Sequence, residues 1–266
     1  MKFLTWIRAK LLPPQEKGDS VSDLSAILHK ANDRLRAEEY EKARGLLLRA
    51  LKLRDGFEGT AMIDYILTSL CWTWLVQEQY DEAISFFNKD ITKYSGDWAA
   101  YCERAAALWY SGRFQESIQD YSRALELKSN NIQSLSGRGQ VFAEIGQYQK
   151  AIDDLDLALQ ALESVPALDP SWIEWKKNSQ AFVRNGRGVA LAGVGKNELA
   201  MEEFEQSIAL CPENAWVYYN RGQVYDLAGN HEKASSDYQI AVTKCGPALT
   251  PLQKKRALAR LHDKTS

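Results

Sequence analysis

An excess of one charge is missing from this chain: 33 Lys and Arg stand against 35 Asp and Glu, a balance of −2. Such a balance sets up no field that draws in a polyanion, so nucleic acid is excluded as an expected partner. Metal and disulfide spacings are missing too. Cys71, Cys102, Cys211 and Cys245 form no Cys-x-x-Cys, and His29, His231 and His262 are not spaced as a ligand set. Scattered thiols fit a reducing compartment, so a cytoplasmic protein with no metal and no cofactor is expected. No run approaches the ~20 apolar residues of a membrane span. Arg8 and Lys10 interrupt any signal-peptide core within Met1–Leu12. Nothing alternates with period two over a useful length, which excludes an expected β-sheet. Catalytic motifs are equally scarce: there is no Walker motif and no His-Glu-x-x-His. Gly137-x-Gly139 and Gly186-x-Gly188 sit inside helical patterns, with no strand before them and no third glycine in place, so they do not read as phosphate loops. No catalytic residue and no enzyme activity are expected.

What is present is a repeat. Small residues recur at Ala31, Cys71, Ala105, Gly139, Gly188 and Gly222, with steps of 40, 34, 34, 49 and 34. Twelve residues after each stands a second small one: Ala43, Ala83, Ser117, Ala151, Ala200 and Ala234. Sixteen after is a large one: Leu47, Phe87, Tyr121, Leu155, Phe204 and Tyr238. Within each half the apolar spacing is three and four residues, the period of a helix. Each unit therefore reads as a hairpin of two antiparallel helices, with small residues allowing close approach and large ones filling the space beside them. Seven residues after the small position, four repeats carry glycine (Gly112, Gly146, Gly195, Gly229), suited to ending a helix with positive φ; Glu38 and Glu78 take the place in the first two.

A charge pattern runs through the same four repeats. Arg104, Arg138, Arg187 and Arg221 precede the small residue, and Asp120, Asp154, Glu203 and Asp237 follow fifteen after it. The first two repeats lack both. This predicts a salt bridge between the two helices of each hairpin, with a functional arginine row as the lesser alternative.

The long steps mark departures. The 49-residue step contains Val165–Trp172, where Asp169-Pro170 predicts a turn and a helix from about Ser171 running into the fifth repeat. Trp172 and Trp175 share one face of it. They pack on the preceding helix near Leu159 and Leu162, or form a projection that docks a partner. Asp55–Gly59 reads as a flexible turn. Met1–Leu12 is mildly amphipathic and lies back on the first hairpin, reaches a partner or touches a membrane. Thr250-Pro251 predicts the start of a C-terminal helix whose Leu252, Leu258 and Leu261 cover the end of the array.

The segments Asn214–Val242 and Gly137–Leu159 carry these positions most fully and resemble the tetratricopeptide repeat family. The resemblance covers about six repeats. It implies an all-α, right-handed superhelical solenoid of antiparallel helix pairs, divided as 1–22 (N-terminal helix and linker), 23–247 (six repeats, with an insertion at about 160–180) and 248–266 (C-terminal capping helix). It also implies a non-enzymatic scaffold or adaptor that binds a protein or peptide segment on its first helices, which line an inner groove. The groove candidates are then Tyr65, Trp72, Trp109, Tyr110, Gln133, Gln140, Phe182, Trp216, Tyr219, Asn220 and Gln223. Chaperone-binding members hold a carboxylate with lysine, arginine and asparagine; Asn32 fits one of those slots, whereas Ser69, Ala99 and Glu103 depart from the others. Two alternatives stay open: a regulatory or assembly subunit docking through its outer face or through Trp172 and Trp175, and a self-associating structural protein. A monomer or weak homo-oligomer is expected.

Overall fold

The computed structural model describes residues 19–53, 60–166, 170–244 and 257–261. Met1–Leu12, the Asp55–Gly59 turn, Leu252 and most of the C-terminal segment lie outside them. The described residues hold helices and no strand. Twelve helices follow one another: α1 (Asp19–Arg36), α2 (Tyr40–Leu51), α3 (Thr60–Leu75), α4 (Tyr80–Lys93), α5 (Trp98–Tyr110), α6 (Phe114–Leu127), α7 (Ile132–Glu144), α8 (Tyr148–Ser164), α9 (Pro170–Gly193), α10 (Asn197–Leu210), α11 (Ala215–Leu227) and α12 (His231–Lys244). They pair as six helical hairpins. The all-α fold of antiparallel helix pairs is the one the repeat pattern predicts.

The chain forms two compact units. One contains Met1–Ser134 with Pro166–Trp175, the other Leu135–Val165 with Lys176–Ser266. In the first unit, Leu28, Leu47, Leu67, Leu70 and Phe87 form a fully enclosed core from α1 to α4. In the second, Leu155, Leu162, Val183, Phe204 and Val217 are enclosed in the same way.

The hairpin turns share one backbone device. Gly112, Gly146, Gly195 and Gly229 have φ of +82°, +77°, +80° and +73°. The N–H after each bonds five residues back, as Arg113 N to Leu108 O at 2.8 Å and Gln147 N to Phe142 O at 2.8 Å. This closes the first helix with its last carbonyls satisfied. Glu38 and Glu78 adopt the same left-handed conformation, φ 58° and 57°, with the same bond (Glu39 N to Arg34 O 2.9 Å, Gln79 N to Trp74 O 3.0 Å). The divergent repeats keep the turn and bear its steric cost.

Small-to-large packing sets the helix spacing. A Cβ built on Gly139, Gly188 or Gly222 would fall 2.7 Å from Leu155 Cγ, 2.7 Å from Phe204 Cε1 or 2.9 Å from Tyr238 Cε1. Each partner is the large residue sixteen positions on. In two hairpins a serine on the second helix donates to a first-helix carbonyl, Ser117 to Ala105 O and Ser207 to Ala181 O, both at 2.7 Å.

The arginine–acid pairs form within the hairpins. Arg104–Asp120, Arg138–Asp154 and Arg221–Asp237 are two-pronged, with N···O distances of 2.6 and 2.6, 2.7 and 2.8, and 2.8 and 2.8 Å. In the fifth repeat the longer Glu203 is shared by Arg187 (2.5 Å) and Arg184 (3.1 Å), and Arg187 Nε turns to Asp156 on α8 at 2.6 Å. Arg104 likewise donates to Asn88 on α4 at 2.7 Å. Two of these arginines thus also tie neighbouring hairpins together, a contact the intrahairpin pattern does not contain.

From Pro170 one continuous helix runs into the fifth repeat. α9 runs 24 residues from Pro170, beside a 17-residue α8. Lys176 Nζ donates to the carbonyls of Glu163 (3.1 Å) and Val165 (2.9 Å), placing a cation where the α8 dipole is negative. In the second unit, residues 257–261 are helical, Ala257 is buried, and Arg260 lies 3.6 Å from Asp226.

Candidate functional site

The first helices α3, α5, α7, α9 and α11 carry all eleven groove candidates. In the first unit the structure engages several of them internally. Tyr65 is buried, and its hydroxyl donates to the buried Asn32 Oδ1. Tyr110 packs on Trp109, with centroids 5.2 Å apart, and stacks with Tyr80 at 6.4 Å; burial pushes its phenol pKa upward. Trp72 is half-buried. Gln133 is exposed at the start of α7 and donates to Glu103 Oε1 at 2.7 Å.

Glu103 is the less expected member of this face. It is 3% exposed and receives Thr68 Oγ1 (2.6 Å) as well as Gln133, both on one oxygen. Burial pushes its carboxyl above the usual range, against the two hydrogen bonds, and Asp97 pushes it further. The thiols of Cys71 and Cys102, both buried, are also raised well above the ordinary value by burial and by Glu103. They are protonated at neutral pH and unsuited to nucleophilic work.

The second unit assembles a different face. Gln140 on α7 donates to the Phe182 carbonyl at 3.2 Å, and its amide lies across Gly186, where a Cβ would fall 2.3 Å from Nε2. Phe182 on α9 and Trp216 on α11 face one another with centroids 6.2 Å apart. One turn further along each helix, Asn220 Nδ2 donates to Asn185 Oδ1 at 3.0 Å. Tyr219 is buried against Tyr238 at 6.0 Å, and its hydroxyl accepts from the exposed Gln223 at 3.3 Å. The helix start is held by Asn214, whose side chain accepts from Trp216 N. Of the candidates, Phe182 meets Trp216, Asn220 bonds Asn185, and Gln223 bonds Tyr219. The charges beside them are already engaged, Arg184 and Arg187 by Glu203 and Arg221 by Asp237.

Asn185 escaped the sequence reading. It stands three residues before Gly188, as Tyr219 stands three before Gly222, so its register was the available signal. The alternative docking pair, Trp172 and Trp175, pack edge to face at 5.4 Å with Ile173 exposed between them. Among the described residues no cluster of His, Cys, Asp or Glu is arranged to hold a metal. No helix there is long and apolar enough to cross a membrane.

Residues 98–131 and 217–243 match family models described as "Tetratricopeptide repeat", and 188–229 one described as "TPR repeat". The Hsp70-Hsp90 organizing protein of Triticum aestivum is 32% identical over 110 residues, which is 40% of this chain and 18% of that protein. Tetratricopeptide repeat protein 6 of Homo sapiens is 23% identical over 233 residues, 84% of this chain and 39% of that protein. The chain thus spans well under half the length of these relatives. Among solved structures, a chain of the APC/C hetero-tetramer Cut9-Hcn1 aligns with a TM-score of 0.69 at 15% identity, over 99% of this chain and 46% of that one; this likeness is one of fold alone.

Proposed function

The chain belongs to the tetratricopeptide repeat family, and on that footing we propose that it is a non-enzymatic scaffold that holds a protein segment against its first helices. One observation carries the reading most. The second unit gathers two facing rings, Phe182 and Trp216, and the linked amides of Asn185 and Asn220 on the corresponding turns of two successive first helices. Rings give contact area with few torsions to freeze, and side-chain amides match main-chain N–H and C=O groups. A carboxylate-ended chaperone tail, the ligand of chaperone-binding members of the family, is disfavoured in the first unit. There the buried Glu103 stands where a cation is needed, and Asn32 is already engaged by Tyr65. The thiols of Cys71 and Cys102, which form no disulfide among the described residues, favour a reducing, cytoplasmic setting.

The test is affinity capture from the native host with the wild type and with Phe182→Ala/Trp216→Ala. The reading expects a partner that the double variant loses while circular dichroism stays unchanged. Retention of the same partner by that variant sinks it. A second reading, an assembly subunit docking through Trp172 and Trp175, rests on Ile173 exposed beside that ring pair. It predicts loss of capture on changing those tryptophans alone.

A further inference from the structure

A cavity of about 350 Å³ opens where the second hairpin passes into the third, within the first unit. Ile63 and Asp64 of α3, the turn from Tyr94 to Asp97, and Trp98 at the start of α5 wall it. None of the eleven groove candidates lines it. Hydrogen bonds fix the turn: Tyr94 N donates to Asp90 O at 2.8 Å and Asp97 N to Tyr94 O at 3.0 Å. Asp97 also caps α5, its Oδ1 accepting from Ala99 N at 2.9 Å. Two rings, Tyr94 and Trp98, and two carboxylates, Asp64 and Asp97, are thus brought to one cavity. Among the described residues its lining includes no cationic side chain.

Both rings already attract cations. Lys93 Nζ stands 4.6 Å from the centroid of the Tyr94 ring and Lys128 Nζ 4.1 Å from that of Trp98, although neither lysine lines the cavity. An aromatic face draws a cation through its quadrupole, more strongly where water is excluded. The carboxylates add charge of the right sign, and Asp97 acts at a distance too, adding to the burial that raises the Glu103 carboxyl. The walls decide which cation fits. A primary ammonium is strongly hydrated and brings three donors that need acceptors. Ile63 and the ring faces offer none, and one Asp97 oxygen is already spent on Ala99 N. A quaternary ammonium has no N–H to satisfy and turns methyl groups to apolar walls. The volume lies at the small end of ligand pockets, about 300–1,000 Å³, which suits a head group and not a length of chain. We propose that this cavity is a binding site for a quaternary ammonium group, seated on Tyr94 and Trp98 with Asp64 and Asp97 as its counter-charges. The site is independent of the first-helix reading above.

The test uses the full chain, with calorimetry for affinity and NMR of the Trp98 indole for location. The probes are choline, its uncharged isostere 3,3-dimethylbutanol, and the blocked peptides Ac-Gly-Lys(trimethyl)-Gly-NH2 and Ac-Gly-Lys-Gly-NH2. A trimethylated probe is expected to bind with a Kd of about 1 mM or below and to shift the Trp98 indole signal. Choline binding tighter than the trimethylated peptide marks a free small molecule as the source of the group, and the reverse marks a modified side chain. The preferred probe is expected to bind about ten-fold more tightly than its uncharged or unmethylated counterpart. Trp98→Leu is expected to weaken it about ten-fold. Lys128→Gln, an exposed change, removes the cation already over Trp98 and is expected to tighten it about three-fold. That variant keeps the ring and decides the matter even where Trp98→Leu fails to fold; looser binding by it contradicts the proposal. Equal affinity for choline and its isostere overturns the cation assignment. Binding of the unmethylated peptide as tightly as either trimethylated probe overturns the quaternary class. An unmoved Trp98 indole at about 10 mM of both trimethylated probes overturns the site. Every one of these outcomes leaves the capture test at Phe182 and Trp216 as it was.

Discussion

Reversing the charge of Arg138 tests the hairpin pair most sharply. Arg138 joins Asp154 by two hydrogen bonds of 2.7 and 2.8 Å, and their side chains are 23% and 8% exposed. Removing one partner from a well-buried pair costs about 3–5 kcal/mol, because the other charge stays enclosed. Arg138 is a quarter open to solvent, so Arg138→Ala is placed lower, at about 2–3 kcal/mol. Arg138→Glu sets a second carboxylate beside Asp154. Two like charges about 4 Å apart at an effective dielectric near 20 repel by ~4 kcal/mol before relaxation, so the cost rises to about 3–5 kcal/mol after it. Asp154→Arg in that background restores opposite charges with altered geometry, and recovery of about half is expected. Urea unfolding followed by circular dichroism reads each step. Repeat arrays need not unfold in one step, so the transition containing the second unit's signal is the one to compare. Additivity of the two reversals within about 0.5 kcal/mol would refute the pairing.

Three further outcomes follow from the packing and the turns. Glu38→Gly and Glu78→Gly relieve left-handed backbone at φ 58° and 57° and are expected to stabilise by about 0.5–1 kcal/mol each; a lowered urea midpoint contradicts this. Gly188→Ala drives a Cβ to 2.7 Å from Phe204 and should cost about 1–3 kcal/mol, whereas Gly45→Ala, in open space on α2, should gain about 0.5–1 kcal/mol; thermal midpoints separate the two signs. Glu103 has a folded-state pKa raised above its unfolded value, so its contribution is fully present below the unfolded value near 4.3 and is lost as pH rises through the folded one. Glu103→Gln should therefore stabilise the first unit at neutral pH and flatten its stability between pH 4 and 7, and an unchanged profile contradicts the assignment.

The hairpins were legible because each depends on residues at fixed offsets. Gly188 and Phe204 are sixteen apart and touch; Arg221 and Asp237 are sixteen apart and pair. Contacts between neighbouring hairpins were harder to read. Arg187 reaches Asp156 and Arg104 reaches Asn88, and neither acceptor recurs in every repeat. The candidate face was legible by register alone. Register placed Phe182, Trp216 and Asn220 on first helices, but not Asn185, whose importance lies in an amide bond to the next first helix. Tyr65 and Gln133 have the right register and still spend their polar atoms internally, on Asn32 and Glu103. Side-chain partners of that kind depend on what stands opposite, which no single repeat encodes.

The most direct test of the central claim is site-specific cross-linking in extracts of the native host. A photoreactive phenylalanine analogue is placed at Phe182, at Trp216 or at Leu157, which lies 51% exposed on α8. Adducts with one partner from positions 182 and 216, and none from 157, are the predicted result. Adducts from 157 alone would contradict it.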